Sequence, residues 1–171
     1  MELFSVADSM NTLQINVSQL LKEPIGSERN YQVSGMVDIA SNGDDIPVRG
    51  EVNLTRTNRS ILVKGRLYLT VDVACARCLN PFDYPLTLDI EEEYFPVLDT
   101  VSGTPLPAPD EPSSFTVDEY QVLDLTEAAR QYAVMAIPMK PLCRDDCAGL
   151  QIQPQNRSQL LHIIKNYQEM E

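Results

Sequence analysis

Apolar and polar residues alternate along most of the N-terminal half of the chain. Leu13, Ile15 and Val17 fall on one parity, the period of a strand with one dry face. Ser18 then precedes a short helical turn over 19–23, stopped by Pro24, because proline cannot continue a helix. Tyr31, Val33, Met36, Val37 and Ile39 mark a second strand, with a slip in the alternation at Gly35. Ser41-Asn42-Gly43-Asp44 reads as a turn, since these residues tolerate tight backbone. Val48, Val52 and Leu54 make a third strand, and Asn58-Arg59 turns the chain. The longest run follows. Ile61, Val63, Leu67, Leu69, Val71 and Val73 share one parity, with Gly65 in the series and Cys75 at its end. The opposite parity holds Lys64, Arg66, Tyr68 and Asp72, so one face is buried and one is wet. After Asn80-Pro81 the pattern resumes at Tyr84, Leu86, Leu88 and Ile90.

The period is lost from Pro96 to Ser114, where five of the 12 prolines lie. This is a Pro-rich acidic loop over 96–114, unusually long for a compact domain. Helical spacing replaces it. Asp124, with Glu127 three residues later, resembles a capping box, and Leu125, Ala128, Ala129, Tyr132 and Met135 fit one helical face that ends before Pro138 and Pro141. A last helix is expected from about 156 to 168, with Leu160, Leu161, Ile163, Ile164 and Tyr167 as its apolar stripe. The expectation is a single α+β domain over 1–171: a mainly antiparallel sheet or small β-barrel-like core, with helices in the C-terminal third.

Charge changes this picture in one place. The chain holds 25 acids against 13 Lys and Arg, a net charge of −12. No Lys, Arg or His occurs between Arg77 and Arg130, and that stretch carries twelve of the acids. The remainder, with 13 acids and 13 bases, is neutral. Recognition of nucleic acid mainly through phosphates needs clustered Lys and Arg, which the whole-chain balance opposes. Locally, Arg49, Arg56, Arg59, Lys64 and Arg66 stand against Glu51 alone between 46 and 66, a candidate RNA surface to which Tyr68 adds a ring. The bland alternative is a solvated strand face. Glu91, Glu92, Glu93, Asp110 and Glu111 are the candidate contacts for a basic partner; the three glutamates alternate faces and read as a wet edge. The N-terminus has no basic region of the secretory kind and no long apolar run exists, so a cytoplasmic, non-membrane protein is expected. One His, no Trp and no Gly-rich loop leave no catalytic set and no evident small-molecule substrate, and no enzyme is expected.

The four cysteines form two close pairs, Cys75-Ala76-Arg77-Cys78 and Cys143-Arg144-Asp145-Asp146-Cys147. A C-x2-C turn sets two sulfurs on one side of a tight knuckle, and two knuckles complete the four ligands of a structural zinc. Arg77 and Arg144 beside them favour thiolates. Free thiols, disulfides and redox chemistry remain alternatives, although disulfides are rare in a reducing compartment and a thioredoxin-like βαβ context is lacking.

Several segments together carry a family resemblance. Cys75-Ala76-Arg77-Cys78-Leu79 with Phe82, the acidic-aromatic 91–95, the helix start 123–127, and Pro138-Met139-Lys140-Pro141-Leu142-Cys143 followed by Cys147-Ala148-Gly149-Leu150 resemble, in order, the YceD family of large ribosomal RNA subunit accumulation proteins. The chain departs from many members after Gly149-Leu150, where Gln151-Ile152-Gln153-Pro154 stands in place of a further C-P-x-C-G. Four cysteines still suffice for one site. The resemblance implies a ribosome biogenesis factor supporting accumulation of large-subunit (23S) rRNA. It would be non-catalytic, acting through a large-subunit ribosomal protein or assembly factor, through rRNA, or both. A redox-responsive or metal-binding protein using the two cysteine pairs is the alternative.

Overall fold

The computed structural model describes residues 13–40, 43–99, 102–107, 109 and 114–150. Packing divides the chain into two compact units, one of 1–71 with 84–138 and one of 72–83 with 139–171. The strands are β1 (Gln14–Asn16), β2 (Glu28–Asp38), β3 (Asp45–Arg56), β4 (Ile61–Ala74), β5 (Pro81–Pro96), β6 (Phe115–Val117) and β7 (Val122–Asp124). They form one sheet in the order β1-β7-β6-β5-β4-β3-β2.

The alternation seen in the sequence sets the faces. Val33 and Val37 of β2, Val48, Val52 and Leu54 of β3, Ile61, Val63, Leu67, Leu69 and Val71 of β4, and Leu86, Leu88 and Ile90 of β5 are all buried. Leu13, Ile15 and Val17 are buried around β1 as expected, and a 3-10 turn at Leu20–Lys22 follows. Gly35 causes no slip. It pairs with Val48 inside an unbroken β2–β3 register, and Met36 simply faces outward, 45% exposed.

The sheet is mixed, not purely antiparallel. β5 and β6 run parallel, with Tyr94 opposite Phe115. The segment 97–114 explains this, because a parallel neighbour requires a long connection where a hairpin requires two residues. Its described part is ordered by a tight turn rather than being structureless. Leu98 bridges Pro105, Asp99 N–H donates to Thr104 O, and the Asp99 carboxylate accepts from Ser102 N–H at 2.7 Å.

One α-helix is present among the described residues, α1 (Thr126–Ala136); the expected 156–168 helix lies outside them. Asp124 does assist the helix start, but as a local turn. Its Oδ1 accepts from Thr126 N–H at 2.8 Å, while Leu125 occupies the cap. Glu127 turns forward to Arg130 and Gln131 instead of back. The buried face is Leu125, Ala128, Ala129 and Ala133; Met135 is 72% exposed, against expectation. Small alanines let α1 approach β2. Since β7 precedes α1 and β2 is the far edge strand, the sheet of this unit must curl into a half-barrel to bring them together.

Two inward glycines permit the close β3–β4 approach. A Cβ on Gly65 would lie 2.6 Å from Glu51 O, and one on Gly50 2.8 Å from Leu67 Cα, distances no real side chain adopts. Tyr94 closes the other half. It is buried, stacks on Phe115 with ring centroids 5.1 Å apart, and donates its hydroxyl to Asp124 O at 3.1 Å. Burial pushes its phenol well above the ordinary value.

Candidate metal centre

Strand β4 ends at Ala74, and the next residue begins a knuckle. Cys75 N–H donates to Asn80 O and Leu79 N–H returns to Cys75 O, each at 2.9 Å. Closing this loop forces Leu79 to φ 61, a left-handed conformation that costs a branched-chain residue roughly 1–2 kcal/mol. Its side chain is 62% exposed, so burial does not offset the strain. Arg77 N–H lies 3.5 Å from Cys75 Sγ. The second pair sits on a turn in which Cys147 N–H donates to Arg144 O at 3.1 Å.

All four cysteines, free in this structure, come together inside the smaller unit. Their sulfurs lie within 4.8 Å of one another. Cys75 and Cys147 are 3.8 Å apart and Cys78 and Cys143 are 3.9 Å apart. Four sulfurs at about 2.3 Å around a tetrahedral zinc are separated by roughly 3.8 Å, whereas a disulfide is about 2.05 Å. The donor set therefore fits a metal ion of the zinc class without rearrangement of these two pairs. Cys75 and Cys147 are buried, Cys78 is half-buried and Cys143 is exposed.

The electrostatics favour a thiolate at one corner. Backbone N–H groups of Cys143 first, then of Cys78, hold the Cys75 thiol down to about 6, because aligned amide dipoles stabilise the anion. Cys143 moves the other way, to about 12, through desolvation and then through the neighbouring sulfurs. The residue is exposed as a whole; its sulfur is the part crowded by the cluster. Arg77 acts differently from its expected role. Its guanidinium donates to the carbonyls of Asp145 and Cys147, each at 3.2 Å, and Ala76 N–H donates to Pro141 O at 2.8 Å. Arg77 is thus a staple between the two knuckles, and Arg144 is taken up by Asp146 at 3.5 Å. Sequence reading placed Arg77 beside the site but could not show that its charge is directed at carbonyls 68 and 70 residues away.

The other predicted contacts separate. On the outer face of the sheet Lys64 pairs with Glu91 at 2.7 Å and Arg66 with Asp89 at 2.6 Å. Arg56 donates to Glu23 O. Arg49 and Arg59, with no ion pair among the described residues, lie toward opposite ends of β3 and its following turn. Glu91 and Glu93 share the outer face, while Glu92 lies on the other and accepts from the Tyr132 hydroxyl at 3.0 Å. β6 pairs with β5 only at 94–96, so at Glu91 the side of the strand away from β4 is taken by the Tyr132 hydroxyl, which accepts from Glu91 N–H at 3.3 Å and lies 3.2 Å from Glu91 O. Asp110 and Glu111 fall outside the described residues. No helix among the described residues is long and apolar enough to cross a membrane.

Residues 63–166, more than half the chain and including all four cysteines, match the family model described as "Large ribosomal RNA subunit accumulation protein YceD". The chain belongs to the YceD family. A stretch of 82 residues is 32% identical to the Large ribosomal RNA subunit accumulation protein YceD of Haemophilus influenzae, covering 48% of this chain and 45% of that protein. The match thus spans about half the length of this curated relative. No solved structure matches. The YceD resemblance seen in the cysteine segments and the helix start is therefore borne out at family level.

Proposed function

We propose that this YceD-family chain is a non-catalytic cytoplasmic factor supporting accumulation of large-subunit rRNA, with one structural zinc held by Cys75, Cys78, Cys143 and Cys147. The observation that carries the role is family membership over 63–166, together with the name of the Haemophilus influenzae relative. The zinc would supply no reaction step. With four protein ligands its site is closed, and it would tie 72–83 to 139–150.

The partner reading rests on how the sheet redistributes charge. Counted along the chain, 46–66 is basic. Counted across the outer faces of β2–β5 from 28–36, 47–55, 62–70 and 85–93, five acids (Glu28, Glu51, Asp89, Glu91, Glu93) stand against Arg49, Lys64 and Arg66. Cross-strand neighbours have reversed the sign. Such a face favours encounter with a basic polypeptide, so the primary partner is a basic large-subunit ribosomal protein or assembly factor.

The test is to delete the gene, measure 23S against 16S rRNA, and restore the wild-type chain. A fall in the ratio that the chain corrects supports the reading; an unchanged ratio overturns it. Metal analysis of the purified chain should give about one zinc. Capture of large-subunit proteins should weaken with salt and on substituting Glu51, Glu91 and Glu93 by Gln. Capture unaffected by those substitutions removes the acidic-face version.

A further inference from the structure

One groove of this acidic protein has the opposite character. It lies between the β3–β4 turn and the segment that follows β5, encloses about 570 Å³, and is lined by Arg56, Arg59, Phe95, Leu98, Leu106 and Pro107 among others. Pockets of a few hundred Å³ with an apolar wall and few polar groups are the size class of small organic ligands. We propose that this groove binds one nucleotide unit of a single-stranded RNA, with the phosphate on Arg59 and Arg56 and the base against Phe95.

The turn is built to hold its shape without using its cations. Thr57 N–H donates to Ser60 O at 3.0 Å, Ser60 N–H to Thr57 Oγ1 at 2.9 Å, and Ser60 Oγ to Glu93 at 3.1 Å. Arg56 is anchored by its bond to Glu23 O, which fixes the guanidinium without neutralising it. Arg59 is exposed and has no ion pair among the described residues. Asp99 is the acid in the lining, and Ser102 N–H and Oγ both donate to its carboxylate, at 2.7 and 2.8 Å.

The rest of the lining is largely apolar. Phe95 is half-buried, its backbone set by parallel pairing with Thr116. Pro96, Pro107 and Pro109 extend the wall beside it. A cation pair lining the same groove as an aromatic ring and prolines suits a phosphate joined to a planar base, since stacking accepts any base and the charge accepts the backbone. A free nucleotide shares that chemistry. The choice of RNA rests on the rRNA role proposed above.

The test is fluorescence anisotropy of a labelled eight-nucleotide single-stranded RNA against the full chain, at about 50 mM salt and above. Arg59→Gln should weaken binding roughly tenfold and lower the salt slope by about 1. Phe95→Leu, which keeps an apolar residue on β5, should weaken it at least about 5-fold through lost stacking. Lys64→Gln, at a residue already paired with Glu91, should leave it unchanged. Should Phe95→Leu fail to fold, the exposed Arg59→Gln variant still decides. Absence of RNA binding, or binding indifferent to Arg59→Gln, overturns the proposal. So does adenosine monophosphate binding as tightly as the RNA, which makes the ligand a free nucleotide. So too does an acidic peptide competing equally. Loss of 23S rRNA on deletion together with no RNA binding would sink the groove and leave the rRNA role standing. RNA binding with unchanged 23S rRNA would do the reverse.

Discussion

The two units are held together by different physics. The larger owes its cohesion to side chains such as Leu54, Ile61, Val63, Leu67, Leu123 and Leu125, all fully buried. In the smaller, the fully or nearly buried apolar groups among 72–83 and 139–150 are Cys75 and Cys147, while Leu79, Met139 and Leu150 are exposed. Among its described residues, then, the sulfur cluster rather than a set of large apolar side chains is what is buried, the pattern of small units that draw on a metal or disulfides. Removing apolar surface from water therefore explains the sheet. The knuckles are joined by the Arg77 staple and by four sulfurs whose spacing fits a metal ion. Changes in one unit should accordingly leave the signature of the other intact.

The largest break comes from Cys75→Ser with Cys78→Ser. Structural zinc in small peptides contributes about 10–16 kcal/mol of coupled folding, so zinc should fall from about one per chain to none, and 139–150 should become open to protease. The far-ultraviolet strand signal should persist. Its collapse with the metal would show that the sheet does not stand alone. The converse is Leu67→Ala. Leu67 is fully buried on β4 opposite Gly50, so the lost contacts and cavity should cost about 2–5 kcal/mol. Melting should drop by on the order of 10 °C with zinc stoichiometry unchanged. Metal loss accompanying that drop would join the two units into one cooperative system.

The sequence declares these regions unequally. Strand positions in β2–β5 were legible because period 2 is a local property: each side chain's face follows from its neighbour's. Gathering of the four cysteines was legible in kind, because two short-spaced pairs require a partner pair. Strand partners are not local. Nothing in Phe115-Thr116-Val117 announces a parallel pairing with Tyr94, and nothing near Lys64 or Arg66 shows that Glu91 and Asp89 will lie opposite. Within the basic window 46–66, Lys64 and Arg66 meet acids of β5 for that reason, while Arg49 and Arg59 have no ion pair among the described residues. The Asp99–Ser102 turn was legible in principle, since Ser102-Gly103, three residues after Asp99, is a turn signal, but the surrounding prolines masked it.

Arg77→Met sharpens the contrast within the cysteine unit. It removes the two bonds to the Asp145 and Cys147 carbonyls while leaving all four sulfurs and the apolar stem. Residues that orient metal ligands typically change affinity by about 10–100-fold. Competition with a chelator should show zinc held that much less tightly, with one zinc still bound at saturation and the thermal transition of the sheet unmoved. An unchanged affinity would mean that the sulfurs alone fix both knuckles.

The smallest effect tests whether the larger unit depends on charge at all. On α1, hydrogen bonds from Arg130 first and Gln131 second hold the Glu127 carboxyl down to about 2. A depressed acid stabilises the fold above its unfolded value, near 4.3, and that contribution is lost as pH falls through the folded value. Between about pH 4.5 and 2, wild type should therefore lose slightly more stability than Glu127→Gln. The pair is largely exposed and separated by one helical turn, so solvent screening limits it to about 0.3–0.5 kcal/mol, a shift in denaturation midpoint just large enough to measure. A difference several times greater would make the Glu127–Arg130 pair part of how α1 is held to β2. Arg130 also feels Asp38 at the end of that strand. A difference within error would leave Ala128, Ala129 and Ala133 to hold the helix by packing alone.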